Sequence, residues 1–318
     1  MKTLVTGAGG MIGGHLVRAL LARGEDVRAV DIKPLREWWQ LHSNAQNLGE
    51  VDCRLAAAAS HIMGGGVTRV YHLAENMGGI GFITKNRVAC AESVEIGISV
   101  LRAADAAGVR RFLFSSSACV YPVFKQQGLA PQLQEREAWP AEPESGYGLA
   151  KLYMEELCRH YAEERGLSIR IARYHNVYGP YGSWNDGREK APAALARKVA
   201  HAVKSGEPDI SIWGDGQQER SYLYVDDCVA GTLALMDSWY ESPVNIGSSR
   251  AVSVDDLVTI FERLAGVTLK RHYSLMQATG VRGRNADISI ARDVLDWEPK
   301  VPLEAGLRLL YNWVSAQL

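Results

Sequence analysis

Two patterns of hydrophobic positions alternate along the first half of the chain. Short apolar runs have the length and composition of buried parallel strands. These runs are 4–6, 27–30, 70–74 and 111–114. Helices are predicted at 88–107, before the last of these strands, and at 147–164, after it. This alternation predicts an α/β protein with a Rossmann-type, doubly wound parallel sheet.

The pattern changes after residue 175. Segment 176–217 is rich in glycine, proline and charged residues, with a short helix predicted around 193–202 and a strand at 211–213. Two more helical stretches follow residue 253. We therefore predict a smaller, discontinuous α/β lobe that binds the substrate. The lobe comprises 176–217 and 246–318, and the Rossmann domain comprises 1–175 and 218–245.

Composition excludes several classes of function. The chain of 318 residues has a formal net charge of -1, which gives no reason to expect nucleic-acid binding. The sequence contains no apolar run long enough to span a bilayer. Its five cysteines are scattered without a C-x-x-C spacing, so no metal site is expected. An odd cysteine count without a secretion signal indicates a reducing compartment, and we expect a cytoplasmic protein.

A glycine-rich turn follows the first predicted strand and opens a helix. Gly7, Gly10 and Gly13 have the spacing Gly-x-x-Gly-x-x-Gly, and the N–H groups at such a helix start bind a pyrophosphate. Asp31 ends the second strand, where a carboxylate binds ribose hydroxyls and repels a 2′-phosphate, so NAD is favoured over NADP. Asp52 follows the next strand and either contacts the adenine or is a surface carboxylate.

Tyr147 and Lys151 form a Tyr-x-x-x-Lys pair at the start of a predicted helix. Lys151 lies one turn further along the same face, and its charge, with that of a nicotinamide, would favour tyrosinate. Tyr147 is therefore a candidate base for a substrate hydroxyl proton. Ser117 or Ser116 could hold the same oxygen. Together with the dinucleotide turn, this pair predicts removal of a hydride from a sugar carbinol.

Further segments carry a resemblance to a known family. They are 76–82 (Asn-Met-Gly-Gly-Ile-Gly-Phe), 116–122 (Ser-Ser-Ala-Cys-Val-Tyr-Pro), 139–143 (Trp-Pro-Ala-Glu-Pro), 175–180 (His-Asn-Val-Tyr-Gly-Pro), 187–194 (Gly-Arg-Glu-Lys-Ala-Pro-Ala-Ala), 213–216 (Trp-Gly-Asp-Gly) and 280–285 (Gly-Val-Arg-Gly-Arg-Asn). Over nearly its whole length the chain resembles the extended short-chain dehydrogenase/reductases, and within them most closely the GDP-mannose 3,5-epimerase family. The segments around Cys119 and Lys190 are the most specific part of this likeness.

The resemblance implies a chemistry on GDP-mannose. Bound NAD oxidises C4 of the hexose with Tyr147 as the base, and the resulting ketone acidifies the hydrogens on C3 and C5. Cys119 and Lys190 are the implied acid–base pair that inverts these carbons before hydride returns to C4. The implied products are GDP-L-galactose, GDP-L-gulose or both.

The resemblance also assigns binding residues and an assembly. The implied cofactor contacts are Gly7, Gly10, Met11, Ile12, Gly13, Asp31, Asp52, Leu73, Ala74, Tyr147 and Lys151. The implied substrate contacts are Gly78, Gly79, Ser117, Asn176, Lys190, Lys198, Gln218 and Arg282. Arg188 and Arg284 are further candidates for phosphate, since a guanidinium fork suits it. A homodimer is implied, formed through helices that include the one with Tyr147.

One departure from the family pattern bears on specificity. The family reads Ala-Asp where this chain has Glu75-Asn76, and this position affects the expected preference between C3 and C5. Among alternative functions, a sugar 4,6-dehydratase would need an Asp-Glu pair where Ala118-Cys119 stands. A C4-only or C5-only epimerase of the same family stays open, as does a non-catalytic NAD-binding protein on the same fold.

Overall fold

The protein is described by a computed structural model that covers residues 1–144 and 146–318. The strands are β1 (Lys2–Thr6), β2 (Asp26–Val30), β3 (Gln46–Leu48), β4 (Val67–His72), β5 (Arg111–Ser117), β6 (Gln132–Leu133), β7 (Ser168–Tyr174), β8 (Val177–Tyr178), β9 (Asp209–Trp213), β10 (Glu219–Ser221), β11 (Leu223–Tyr224), β12 (Val244–Ile246), β13 (Ala251–Ser253), β14 (Lys270–Ser274) and β15 (Gly283–Ala286). The helices are α1 (Met11–Ala22), α2 (Ala56–Met63), α3 (Ile80–Lys85), α4 (Arg87–Glu92), α5 (Val94–Ala106), α6 (Tyr147–Arg165), α7 (Ala191–Ser205), α8 (Val225–Asp237), α9 (Val254–Ala265), α10 (Ser289–Leu295) and α11 (Leu303–Ser315).

The main sheet is parallel throughout its described ladders. Its order is β12-β7-β5-β4-β1-β2-β3, seven strands among the described residues. The strand order reverses between β1 and β4, and a crevice opens there at the carboxyl ends of the strands. Each run that the sequence predicted as a strand lies in or overlaps one of these strands, so the predicted doubly wound sheet is confirmed.

Three smaller sheets accompany the main sheet in the described residues. Strands β13, β10, β15 and β6 form one sheet, while β9 pairs with β14 and β8 pairs with β11. Strands β6 and β10 fall inside the segments predicted as Rossmann domain, 1–175 and 218–245, yet both pair with β15 of the lobe. The lobe sheet therefore draws strands from both predicted units.

A continuous hydrophobic core joins the two units. One cluster of buried side chains runs from Leu16 on α1 through Val225 on α8 to Leu257 on α9 and Leu307 on α11. Helix α7 packs against α9 and α11, and α1 packs against α8. Because apolar burial is the main stabilising contribution in folding, this shared core fixes the lobe against the crevice.

The segment predicted as one helix, 88–107, consists of two helices that meet at Ser93. The Ser93 hydroxyl donates to the carbonyl oxygen of Ala89 at 3.3 Å and accepts from the backbone N–H of Asn76 at 3.1 Å. Serine that bonds to nearby backbone groups competes with regular helix geometry. The Ser93 hydroxyl at this break thereby connects the segment after β4, which carries Glu75 and Asn76, to the helical layer.

Candidate active site

A cleft with a volume of about 780 Å³ lies at the carboxyl ends of β1, β2, β4 and β5. Its floor is the glycine-rich turn between β1 and α1. A Cβ atom built on Gly13 would lie 2.1 Å from the carbonyl oxygen of Gly7, so only glycine allows this close approach. The predicted cofactor residues Gly7, Gly10, Met11, Ile12, Gly13, Asp31, Asp52, Leu73, Ala74, Tyr147 and Lys151 all line this cleft. The cleft therefore fits a dinucleotide lying across the start of α1.

Asp31, directly after β2, lines the cleft and is buried. Its carboxylate accepts hydrogen bonds from the backbone N–H groups of Gly9 at 2.9 Å and Lys33 at 3.0 Å. Fixed in this way, it suits a ribose diol. Asp52 also lines the cleft, but its carboxylate is paired with Arg54 at 2.6 Å, an interaction that lowers the pKa of Asp52.

Tyr147 and Lys151 lie in the first turns of α6, facing the ends of β4 and β5. The Lys151 ammonium lies 5.7 Å from the centroid of the Tyr147 ring and donates to the Ser115 carbonyl oxygen at 2.8 Å. Burial, followed by the charge of Glu75, raises the pKa of Tyr147, whereas hydrogen bonding by Ser117 lowers it. Ser116 instead bonds to Glu155, so Ser117 is the serine at the phenol.

Glu75 is a site residue whose contact the sequence did not predict. Its carboxylate forms a buried ion pair with Lys151, and the side chains are 9% and 3% exposed, respectively. The departure at Glu75-Asn76 was visible in the sequence, but the spacing along the chain gave no sign of the ion pair.

Cys119 lies just beyond β5 in a short 3₁₀ turn. The Arg284 guanidinium donates to its Sγ at 3.3 Å and to Glu144 Oε2 at 3.1 Å, and its Nε donates to Gln126 at 2.6 Å. Burial raises the pKa of the Cys119 thiol, Arg284 opposes this shift, and Glu144 adds to it. Sequence reasoning did not predict Glu144 or Gln126 in the site, since neither belongs to a chemical motif.

Lys190 is the N-cap residue immediately before α7. Pro192 follows in the first turn, where its missing N–H costs no helical hydrogen bond. The segment before Lys190 is tied to the loop after β4: the Gly79 N–H donates to the Arg188 carbonyl at 2.8 Å, and a Cβ on Gly79 would lie 2.3 Å from the Glu189 oxygen. Burial lowers the pKa of Lys190, and the charge of Cys119 partly restores it.

The remaining predicted substrate residues lie in different surroundings. Gly78 lines the cleft, whereas Lys198 donates to the Ser211 carbonyl at 2.7 Å. Asn176 donates to the Ser221 carbonyl at 2.9 Å. Arg282 is exposed and paired with Asp215 at 2.7 Å, in contrast to the buried Arg284.

Gln218 and Arg188 differ in whether their side-chain polar atoms have hydrogen-bond partners. Within residues 1–144 and 146–318, the buried Oε1 of Gln218 accepts no hydrogen bond. Arg188 lines the cleft, where its guanidinium carbon lies 3.8 Å from the centroid of the Phe82 ring and its Nη1 donates to Asn76 Oδ1 at 2.9 Å. Gln218 is thus a hydrogen-bond acceptor without a protein partner in the described structure.

Comparison with known sequences agrees with this site. A model of the "NAD dependent epimerase/dehydratase family" matches residues 3–247. GDP-mannose 3,5-epimerase 1 of Oryza sativa subsp. japonica is 41% identical over 319 residues, which cover 100% of this chain and 82% of the rice protein. GDP-mannose 3,5-epimerase of Arabidopsis thaliana is 40% identical over 320 residues, with 100% and 83% covered. The chain belongs to the NAD dependent epimerase/dehydratase family.

Solved structures agree as well. UDP-glucose 4-epimerase of Thermotoga maritima, solved with UDP-glucose, matches with a TM-score of 0.89 at 28% identity, covering 100% of this chain and 99% of that chain. UDP-glucuronic acid 4-epimerase of Bacillus cereus, in complex with UDP-glucuronic acid and NAD, matches with a TM-score of 0.84 at 27% identity over 100% of both chains. The predicted fold, the predicted class of NAD-dependent nucleotide-sugar epimerase and the predicted cofactor NAD are confirmed.

Across residues 1–144 and 146–318, no helix is both long enough and apolar enough to cross a bilayer.

Proposed function

We propose that the protein epimerises GDP-mannose at C3 and C5 through transient oxidation at C4, giving GDP-L-galactose, GDP-L-gulose or both. The observation that carries this proposal is the grouping of Cys119 and Lys190 with Tyr147. Lys190, Tyr147 and Ser117 line the same cleft, and the Cys119 backbone N–H donates to Ser117 Oγ at 3.2 Å. A simple 4-epimerase has no use for such an acid–base pair. The 41% identity to a rice GDP-mannose 3,5-epimerase supports the choice of substrate.

The redox half of the reaction rests on Tyr147 and Ser117. Bound NAD supplies the acceptor for the C4 hydride and the source from which that hydride returns. Tyr147 accepts the C4 hydroxyl proton, and Ser117 holds the same oxygen. Leu73 and Ala74, directly after β4, line the same cleft and contribute apolar surface to it.

The inversion half rests on Cys119 and Lys190. Once C4 is a ketone, removal of a proton from C3 or C5 gives an enolate, and reprotonation from the opposite face inverts that carbon. Because burial lowers the pKa of Lys190, its neutral amine suits the base role. Because burial raises the pKa of Cys119, its protonated thiol suits the acid role. Arg284 limits that rise, so the thiol remains acidic enough to release its proton.

Substrate binding is assigned to the loop after β4 and to the lobe. Gly78 and Gly79 give the hexose close access to backbone, and Asn176, Lys198 and Gln218 bind the nucleotide diphosphate or its sugar. The buried, unpaired Oε1 of Gln218 within the described structure supports this assignment. Arg282 is a further proposed phosphate ligand, since its exposed ion pair with Asp215 contributes little free energy and is readily exchanged. Arg188, on the cleft wall, is a further phosphate ligand.

A cytoplasmic location is a further part of the proposal. Cys53, Cys90, Cys119, Cys158 and Cys228 are all free thiols in the structure. Free thiols are typical of a reducing compartment, which supports the expectation of a cytoplasmic protein.

Product analysis tests the proposed function. Purified protein is incubated with GDP-mannose without added NAD, and the nucleotide sugars are separated and identified by proton NMR. GDP-L-galactose or GDP-L-gulose is the expected product, with no net change in cofactor. Cys119→Ala is expected to abolish product, whereas Cys158→Ala, at a buried cysteine in the interior of α6 with no proposed role in the chemistry, serves as the matched control.

Other outcomes would select the alternatives. A 4-epimerised hexose that survives Cys119→Ala would establish a C4-epimerase, and an L-gulose product alone would establish a C5-restricted enzyme. Retained NAD without turnover of any nucleotide sugar would favour the non-catalytic protein.

A further inference from the structure

The Glu75 carboxylate forms an ion pair with the ammonium of Lys151, the lysine of the Tyr-x-x-x-Lys pair. Both side chains are almost fully buried, and the Lys151 Nζ also donates to the Ser115 carbonyl oxygen at 2.8 Å. Buried opposite charges at contact distance compensate each other strongly, because little water screens them. The redox site therefore contains a lysine whose positive charge is locally neutralised.

The neighbours of Glu75 hold this carboxylate in position. The Arg188 Nη1 donates to Asn76 Oδ1 at 2.9 Å and to the Met77 carbonyl at 3.0 Å, and the Asn76 N–H donates to Ser93 at 3.1 Å. The backbone on the carboxyl side of Glu75 is thus tied to both the lobe and the helical layer. Moving the backbone that carries Glu75 away from Lys151 would break these contacts.

We propose that Glu75 is a positioning residue that compensates the charge of Lys151 and thereby keeps Tyr147 as a neutral phenol, able to donate a hydrogen bond to the C4 oxygen while the C3 and C5 protons are exchanged. This role rests on the proposed function. An uncompensated ammonium beside the phenol would favour tyrosinate, which cannot donate.

The chemistry of the ketone explains why such a donor matters. Removing a proton from C3 or C5 places negative charge on the C4 oxygen, and a fixed hydrogen-bond donor aimed at that oxygen stabilises the developing charge. Tyr147 carries the proton that it took from the C4 hydroxyl during oxidation. A phenol of high proton affinity retains this proton through both inversions and gives it back when the hydroxyl is restored.

The charges around the phenol agree with this role. Facing Tyr147 from neighbouring elements are Glu75, Cys119 and Cys90. Burial raises the pKa of Tyr147 most, the Glu75 carboxylate adds to this shift, and ionisation of either thiol would raise it further. Near Lys151 lie His72, whose pKa burial lowers to about 3, and Cys158, whose pKa burial raises. The Glu155 carboxylate is paired with Arg173. With Lys151 compensated, a bound oxidised nicotinamide would supply the positive charge that favours tyrosinate, and the reduced form would not.

The first test measures ionisation of Tyr147 directly. The full chain with its retained cofactor is titrated with base, and tyrosinate is followed by ultraviolet absorbance. Subtracting the titration of the matching Tyr147→Phe variant isolates this residue from the chain's other tyrosines. Glu75→Gln is expected to lower the pKa of Tyr147 by about 1 unit or more. An unchanged pKa would overturn the proposal.

A double variant separates charge compensation from a merely structural role. Glu75→Gln combined with Lys151→Met removes both charges and leaves no unpaired buried ion, so it remains usable if Glu75→Gln alone does not fold. Compensation predicts that Tyr147 in this double variant ionises close to the parent pKa. Ionisation well below the parent pKa would contradict it. Glu75→Asp keeps the charge and is expected to restore the parent titration.

The second test is kinetic and reports on the substrate. The parent and the variant are given GDP-mannose in heavy water, and two signals are measured: deuterium entry at C3 and C5, and reduced cofactor formed in a single turnover. In Glu75→Gln, the ratio of deuterium entry to reduced cofactor is expected to be roughly tenfold lower than in the parent. Glu156→Gln, on the exposed part of α6, is the control. Equal loss of both signals would contradict a role specific to the ketone. If the parent itself exchanges nothing, the proposed function fails, and the titrations still decide the effect of Glu75 on Tyr147.

Discussion

The Arg284 Nη1 lies 3.3 Å from Cys119 Sγ, although 165 positions separate the two residues in the chain. The same guanidinium is held by Glu144 and Gln126, so it cannot turn away from the sulfur without breaking buried hydrogen bonds. Arg284 therefore controls how readily Cys119 gains and loses its proton.

Arg284→Gln is expected to raise the pKa of Cys119 further, because it removes the charge that stabilises the thiolate. The pH dependence of alkylation at Cys119 measures this shift. Epimerisation should fall by about 10²-fold or more, the typical contribution of a general acid–base group. Transient C4 oxidation should persist. Arg292→Gln removes a surface charge paired with Glu298 and should change neither quantity.

Lys190→Met is expected to reduce inversion by about 10²-fold or more while leaving C4 oxidation intact. In the parent, burial holds the pKa of Lys190 below its ordinary value of 10.5, so the fraction of neutral amine is already raised below that pH. The epimerisation rate should therefore rise with pH and level off below 10.5, and this rise should be missing from the residual activity of the variant. Lys204→Met, at an exposed position of α7, is the control, and an equal loss there would remove support for Lys190 as the base.

Local patterns account for what the sequence could predict. The strands, the glycine turn and the Tyr147–Lys151 pair are each encoded within a few adjacent residues, and the parallel sheet then brings their ends together. The contacts of Glu75 with Lys151 and of Arg284 with Cys119 depend on tertiary placement. No pattern along the chain encodes them.

Arg282 and Arg284 illustrate this difference most clearly. The two arginines lie two residues apart, yet Arg282 is exposed while Arg284 is buried. Docking of this segment decides which side chain faces inward, since the Arg282 N–H donates to the Gln126 carbonyl at 2.9 Å. The likeness to a family motif could not make that distinction.

Acid is expected to destabilise the protein through His72. Burial lowers the pKa of His72 from 6.5 to about 3 in the folded protein, and its Nδ1 lies 2.8 Å from the Thr6 hydroxyl. Since the folded pKa is depressed, the neutral ring contributes its full stability above the unfolded pKa of 6.5 and loses it as pH falls toward 3. At about pH 5 the loss should be on the order of 2 kcal/mol.

Denaturant unfolding of the parent and of His72→Phe at about pH 8 and pH 5 measures this effect. The variant keeps an aromatic ring beside Phe112 and Phe114 and should show a smaller loss of stability in acid. An equal loss in both proteins would assign the acid sensitivity to other groups, among them His175, whose pKa burial also lowers to about 3.

An apolar surface on α4 and α6 is expected to form a homodimer interface. Val88, Leu149 and Tyr153 are 71%, 56% and 51% exposed, and α4 packs against α6. Exposed apolar patches of this kind mark association sites. Light scattering should give a dimer mass for the parent and a monomer mass for Leu149→Glu/Tyr153→Glu, whereas a parent of monomer mass would refute the interface.

Hydrogen exchange at the hexose tests the central claim most directly. The protein is incubated with GDP-mannose in heavy water, and the hexose signals are followed by proton NMR. A route through a C4 ketone predicts deuterium at both C3 and C5, the original hydrogen retained at C4, and no exchange in Tyr147→Phe. Inverted product without deuterium at C3 or C5, or unchanged exchange in Tyr147→Phe, would contradict the mechanism.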